Sequence, residues 1–163
     1  MLNTPHLIFA KEPIEIRGES SIFLAGPTPR SEHGRKMARS WRPEAIKIFR
    51  KLEYSGTLLI PEDRDWSMSG SYTDQIEWEE AGLTIADCIM FWIPRELKYM
   101  PALTTNDEWG TWKKSGKVVI GTPPEAQKVR YQRYYARKLN VPLSDSLYET
   151  IDSALIMVGH IPF

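Results

Sequence analysis

The chain has little cysteine, no excess charge of either sign and no long apolar run. One cysteine in 163 residues, Cys88, excludes an internal disulfide and fits a reducing compartment. It stands inside the apolar stretch Cys88-Ile89-Met90-Phe91-Trp92-Ile93-Pro94 and reads as a small core residue. Twenty-one basic and twenty-one acidic side chains cancel, so no net field draws the chain to nucleic acid, an acidic membrane or another polyanion. Any ligand must be held locally. No run approaches the length of a membrane helix, and Met1-Leu2-Asn3-Thr4-Pro5-His6 lacks the basic patch and apolar segment of a secretory leader. A soluble cytoplasmic protein with neither a membrane nor a nucleic-acid partner is expected. His6, His33 and His160 are scattered, without metal-ligand spacing or a cysteine partner, so no metal site is expected. The loop after the first core strand has no G-x-G-x-x-G and no Walker lysine, which argues against a dinucleotide or ATP site. No cofactor is implied.

What is present is an alternation of short apolar runs and amphipathic segments. Ser21 to Pro27 reads as a buried strand stopped by Gly26-Pro27. Ahead of it, residues His6 to Ala10 and Ile14 to Ile16 are expected to form an edge hairpin around Glu12-Pro13, because proline suits an edge rather than a central strand. Ala45, Ile46, Phe49 and Leu52 recur at helical spacing behind Pro43, and Ser55-Gly56 ends the pattern. Thr57 to Pro61 is a second strand, Tyr72 to Ala86 a helix, and Asp87 to Ile93 a third strand. That third strand is apolar throughout after its first residue, as when both faces of a parallel sheet are covered. A helix over Thr105 to Ser115, a strand over Val118 to Gly121, and helices over Glu125 to Leu139 and Ser146 to Val158 complete the chain. The expected fold is a single α/β domain over residues 1–163, with an open, mostly parallel, flavodoxin-like or Rossmann-like sheet of four to five strands flanked by helices. Lys128 to Lys138 interleaves basic and aromatic residues. With no net charge, it reads as a surface helix whose aromatics pack on the sheet or on another subunit, not as a nucleic-acid site.

Ligands of such sheets bind beyond the carboxyl ends of the strands. That rule gathers Gly26 to Arg30, Glu62 to Trp66, Arg95 to Thr105 and Gly121 to Pro124 onto one rim. Glu108 follows at the start of a helix, after a long loop that contains Pro94 and Pro101. Long ordered loops often carry function. Thr105-Asn106-Asp107-Glu108 also fits the S/T-x-x-E capping box, in which the two side chains satisfy exposed backbone amides. Ser146-Leu147-Tyr148-Glu149 has the same spacing after a short connection and is read only as a cap. At Glu108 the two readings stay open, and one residue can serve both.

Phe23-Leu24-Ala25-Gly26-Pro27, Trp78-Glu79, Ala86-Asp87 heading an apolar strand, Asn106-Asp107-Glu108-Trp109-Gly110 and Gly116-Lys117 together resemble the nucleoside 2-deoxyribosyltransferase superfamily. The likeness spans roughly residues 21 to 125. It is nearest to the nucleoside 2-deoxyribosyltransferase-like branch, similar in Phe91-Trp92-Ile93-Pro94-Arg95 and in Thr104-Thr105-Asn106-Asp107-Glu108. The resemblance implies cleavage of the bond joining a nucleobase to a sugar, with Glu108 as nucleophile. It also implies an acidic residue in the helix before the third strand, and alignment on Asp87 puts Glu79 there. If Ile76, Glu79 and Leu83 share a face, Glu79 points inward among apolar neighbours, where a carboxyl has a raised pKa and can act as the acid. A helix amino terminus would favour the anionic form of Glu108. Gly26, Pro27, Arg30, Ser31, Asp87, Arg95, Thr105 and Asn106 are the positions expected to hold the nucleoside or nucleotide. In the family, neighbouring subunits complete each site, so a homo-oligomer is expected.

Two departures from the transferase pattern stand out. Transferases carry a tyrosine on the first strand, where this chain has Ile22-Phe23-Leu24, so nucleophile orientation falls to another group, with Tyr72 and Tyr99 as candidates. Their acidic residue before the nucleophile meets an insertion here, Lys98-Tyr99-Met100-Pro101-Ala102-Leu103. Arg30 and Ser31, followed by Arg35, Lys36, Arg39 and Arg42, could hold a 5′-phosphate, as nucleotide-cleaving relatives do near this loop. The expected activity is transfer of a deoxyribosyl group to another base. Hydrolysis of a nucleoside 5′-monophosphate and a non-catalytic nucleotide sensor are the alternatives.

Overall fold

The computed structural model describes residues 3–67 and 70–160. Met1 and Leu2, which begin the segment read for a leader, lie outside them. Strands β1 (His6–Phe9), β2 (Ser21–Ala25), β5 (Thr57–Ile60), β6 (Cys88–Trp92), β7 (Val118–Gly121) and β8 (Leu143–Ser144) form one six-stranded sheet in the order β1-β5-β2-β6-β7-β8. Every pairing in it is parallel. A second, two-stranded antiparallel sheet joins β3 (Ser31–Glu32) to β4 (Arg35–Lys36). The helices are α1 (Arg42–Lys51), α2 (Tyr72–Ile85), α3 (Leu103–Trp112), α4 (Arg130–Lys138) and α5 (Leu147–Met157). The fold is thus an α/β open sheet covered on both faces. No helix among the described residues is long and apolar enough to cross a membrane.

The period-two alternation of the strands divides the core. Phe23 and Ala25 of β2, with Ile89 and Phe91 of β6, belong to one apolar cluster together with Trp78 and Leu83 of α2, Trp109 of α3 and Ala136 of α4. Ile22 and Leu24, with Cys88 and Met90, belong to the other, with Ala45, Ile46 and Phe49 of α1 and Ile151, Ala154 and Leu155 of α5. Alternate side chains of one strand therefore serve opposite layers, and continuous apolar runs are what such a sheet requires. Gly82 lets α2 lie close on the sheet: a Cβ there would sit 2.8 Å from Phe23. The end of α2 is held by Lys117, whose Nζ donates to the carbonyls of Leu83, Thr84 and Ala86, satisfying acceptors that a helix terminus leaves free.

Several expectations are corrected. Residues 6–10 and 14–16 make no hairpin: β1 runs parallel to β5, and residues 14–16 are irregular. Proline at position 13 and the polar return through Arg17-Gly18 allow the chain to leave the edge without pairing to it. The basic stretch after Arg30 opens with the β3–β4 hairpin and runs on to the start of α1 at Arg42; the hairpin's turn residues His33 and Gly34 both have positive φ, as the tightest turns require. Helix α4 begins at Arg130, five residues later than periodicity predicts. Ile76 does not share the inward face of α2, being 45 % exposed.

Candidate active site

Between β5 and β6 the winding of the sheet reverses about β2, since the chain leaves β2 for β5 on one side and then crosses to β6 on the other. Loops diverge at such a point and leave a crevice beyond the carboxyl ends of the strands. A pocket of about 430 Å³ occupies it, in the size range of small-molecule sites. Its walls come from Gly26, Pro27, Thr28 and Arg30 after β2, Arg42 of α1, Pro61 to Asp63 after β5, Ser71, Tyr72, Gln75 and Glu79 along α2, and Pro101 to Thr105 with Glu108 around the start of α3.

Glu79 and Glu108 both line this pocket. Each is half-buried. Burial raises the Glu79 carboxyl above its ordinary value, against the hydrogen bond from Gln75 and the charge of Arg42. The Glu108 carboxyl is pushed up to about 8, first by burial, then by the charge of Glu79. Two carboxyl groups in one low-dielectric pocket cannot both ionise cheaply, and each holds its proton more tightly than a free carboxyl. Gln75 orients Glu79, because its amide donates to Glu79 Oε1 at 2.9 Å and to the Pro61 carbonyl at 3.1 Å.

This reverses the expected charge of Glu108 and removes its capping role. Helix α3 starts at Leu103, behind Ala102 in the left-handed conformation (φ 59°), and has no side-chain cap. Thr105 therefore lies inside the first turn instead of before it, and Glu108 lies in the second turn, past the reach of the terminal dipole. Ser146, by contrast, caps α5 as expected, its hydroxyl accepting from the Glu149 amide at 3.1 Å.

The structure brings Gly26, Pro27, Arg30, Thr105, Glu79 and Glu108 to one pocket and places the other expected residues elsewhere. Ser31 is exposed in β3, outside the lining. Asp87 sits at the amino end of β6, the opposite end of the sheet, where its carboxylate accepts from the Ser21 amide at 2.8 Å and the Ser21 hydroxyl at 3.1 Å. A residue heading a parallel strand cannot reach the carboxyl-end crevice. Arg95 is buried, 4 % exposed, and donates to the Lys128 carbonyl and to Asn106 Oδ1. Gln132 donates to the same Asn106 oxygen at 2.8 Å. Arg95 and Asn106 thus clamp α3 to α4 and the loop before it. Of the two tyrosines considered for orienting the nucleophile, Tyr72 lines the pocket and Tyr99 does not.

Two residues that the sequence places on the rim and in the basic stretch turn out to be paired. Arg42, fully buried, donates to the carbonyls of Leu24 and Gly26 and to the Thr28 hydroxyl, and pairs with Glu62 at 2.9 Å. Glu62, also buried, accepts further from Lys36 at 2.7 Å and from the Ser40 hydroxyl. Arg42 reads as one of several basic residues before a helix. Only Pro43 beside it marks the first turn that brings its side chain back onto the end of β2.

A family model described as "nucleoside 2-deoxyribosyltransferase like" matches residues 19–126. The chain belongs to this family. The matched span holds every wall of the pocket and both of its paired carboxyls. No curated protein matches the chain.

Proposed function

We propose that this member of the nucleoside 2-deoxyribosyltransferase-like family cleaves the N-glycosidic bond of a deoxynucleoside and passes the sugar to a second base. The observation that carries the reading is the convergence of Glu79 and Glu108 on one crevice at the reversal point of a parallel sheet. Breaking the bond builds positive charge at the anomeric carbon. A Glu108 carboxylate beneath that carbon captures it as a glycosyl ester, while the C–N bonding pair departs with the base, which takes its proton from Glu79. The incoming base then attacks the same carbon, its proton returns to Glu79, and Glu108 is released. Two displacements give net retention.

One proton shared by the pair suits this cycle. As charge develops on the sugar beside Glu108, it stabilises that carboxylate and moves the proton toward Glu79, where the departing base needs it. A pair carrying one negative charge instead of two also lowers the cost of burying it beneath a neutral nucleoside.

A second reading, hydrolysis of a nucleoside 5′-monophosphate, is favoured by the mouth of the pocket. Arg30 lines it with an exposed side chain whose guanidinium, among the described residues, donates to the Lys98 carbonyl at 3.3 Å. The uncapped first turn of α3 opens into the same space. A guanidinium and free helix amides together suit a phosphate. Incubating the protein with nucleosides and 5′-monophosphates, with and without a second free base, distinguishes the readings. Base exchange supports transfer, free sugar phosphate supports hydrolysis, and saturable binding without either product indicates a nucleotide sensor. Turnover undiminished in Glu108→Gln would overturn both catalytic readings.

A further inference from the structure

Behind the two pocket carboxyls lies a buried ionic cluster whose charges do not cancel. Arg42 and Lys36 converge on Glu62, at 2.9 Å and 2.7 Å: two cations on one carboxylate, with one positive charge in excess. The Ser40 and Thr28 hydroxyls complete the cluster and bring no charge. Buried charge without a counter-charge is costly, and Glu79 and Glu108 share the pocket wall with Arg42; Asp63 lines the same wall and pairs with Lys11 at 2.9 Å.

We propose that Arg42 is the positioning residue of this site, a buried cation whose charge balances a singly ionised Glu79–Glu108 pair while its hydrogen bonds set the Gly26-to-Thr28 wall. Its side chain spans from the end of β2 to the end of β5. Nε and one terminal nitrogen hold the Leu24 and Gly26 carbonyls, and the other terminal nitrogen holds Thr28 and Glu62. Rotation is blocked, because the guanidinium also lies 4.7 Å over the Trp41 ring. Its charge lowers the proton affinity of both pocket carboxyls. Where the first strand offers Phe23 in place of a hydroxyl, the polar group gathering the end of that strand is Arg42. Arg42 shares the pocket wall with both carboxyls, and the catalytic meaning of its charge rests on the glycosyl-transfer reading.

Arg42 from α1, Arg30 after β2, Glu62 and Asp63 after β5, and Tyr72 of α2 line the pocket with the pair; Asp107 adjoins Glu108 on α3 and adds its charge, and Lys36 of β4 reaches the cluster through Glu62. The test follows the charges by sign. Glutamate side chains carrying ¹³C at Cδ are titrated by NMR, with Glu79 and Glu108 assigned from their Gln variants. Arg42→Gln removes the excess positive charge and should raise the midpoint of the first ionisation of the pair by about one pH unit, a tenfold rise in proton affinity. Lys36→Met, at the half-buried edge of the cluster, should move it the same way by less. Glu62→Gln leaves a second uncompensated positive charge and should move it down. A merely structural Arg42 would give three shifts unrelated to charge. Should Arg42→Gln not fold, the opposite signs of Lys36→Met and Glu62→Gln decide. Midpoints that stay in place, or that move together in one direction, overturn the proposal. Signed shifts in a protein that exchanges no base and releases no sugar would leave it standing and reject the glycosyl-transfer reading instead.

Discussion

The charge of Glu79 on α2 adds to burial in holding Glu108 on α3 protonated up to about pH 8. The consequence for stability has a definite sign. A carboxyl whose folded-state pKa lies above its ordinary 4.5 contributes fully below pH 4.5, and that contribution is lost as pH rises through about 8. Glu108→Gln, which fixes the neutral shape, should unfold with the wild type at pH 4.5. At pH 8.5 it should be more stable by about 1–2 kcal/mol, the shift being discounted for a half-exposed side chain. Thermal unfolding at the two pH values checks this, and an equal difference at both would mean that Glu108 carries no buried-charge penalty. The gain should accompany loss of turnover, since site residues are commonly held at the expense of stability.

Glu79→Gln keeps the hydrogen-bonding shape toward Gln75 but removes the proton that the departing base needs. First-step cleavage should slow by about 10²- to 10⁴-fold. The loss should shrink for a nucleoside whose base leaves readily as an anion, because such a base needs little protonation. Single-turnover rates on a good and a poor leaving base make the comparison. Equal losses on both would assign Glu79 to binding instead of proton transfer. The same variant removes the charge that Glu108 feels, so the Glu108 ionisation should move to lower pH.

How far the sequence carried follows from where each signal lies. The apolar runs at Ser21, Thr57, Cys88 and Val118 predict β2, β5, β6 and β7 because strands covered on both faces leave no polar positions to blur them. Two further strands were hidden: β8 is two residues long, and His6 to Phe9, read as half a hairpin, joins β5 in parallel through a partner roughly fifty residues distant. The family resemblance singles out Glu79 and Glu108, and both line the pocket. The raised pKa of Glu108 was not legible, for it depends first on burial in the pocket and then on the charge of a carboxyl from another helix. Asp87 and Asn106 belong to the matched motifs, yet they bond to Ser21 and Arg95: a motif residue can be fixed by the scaffold that presents the site. Buried pairs such as Arg42 with Glu62 join positions twenty apart, and nothing local signals them.

That division of labour separates two kinds of variant. Asn106→Ala strips the shared acceptor from both Arg95 and Gln132; among the described residues, Gln132 Oε1 and Arg95 Nε already have no hydrogen-bond partner. Leaving buried donors unmet costs about 1–3 kcal/mol, so the unfolding temperature should fall by several degrees. Because Asn106 lies outside the pocket lining, the nucleoside Kd of the folded fraction should stay within about twofold, an effect below half a kcal/mol. A tenfold weaker Kd with unchanged melting would restore Asn106 to the substrate.

Gly26 joins the two concerns. It ends β2 with φ 148°, a conformation that L side chains rarely adopt, and a Cβ there would lie 2.1 Å from the Trp92 carbonyl oxygen and 2.9 Å from the Trp41 ring. The oxygen belongs to the neighbouring strand β6 and cannot swing aside. Gly26→Ala must therefore part β2 from β6 where the pocket opens, and the displaced Gly26 carbonyl loses its 2.8 Å bond from Arg42. Strain of this kind costs about 1–3 kcal/mol, so stability should drop, and here, unlike in Asn106→Ala, nucleoside affinity should drop with it. Calorimetric binding and melting on the same sample decide the matter. A Gly26→Ala protein that melts lower but binds as wild type would show that the β2 turn supports the sheet without shaping the pocket.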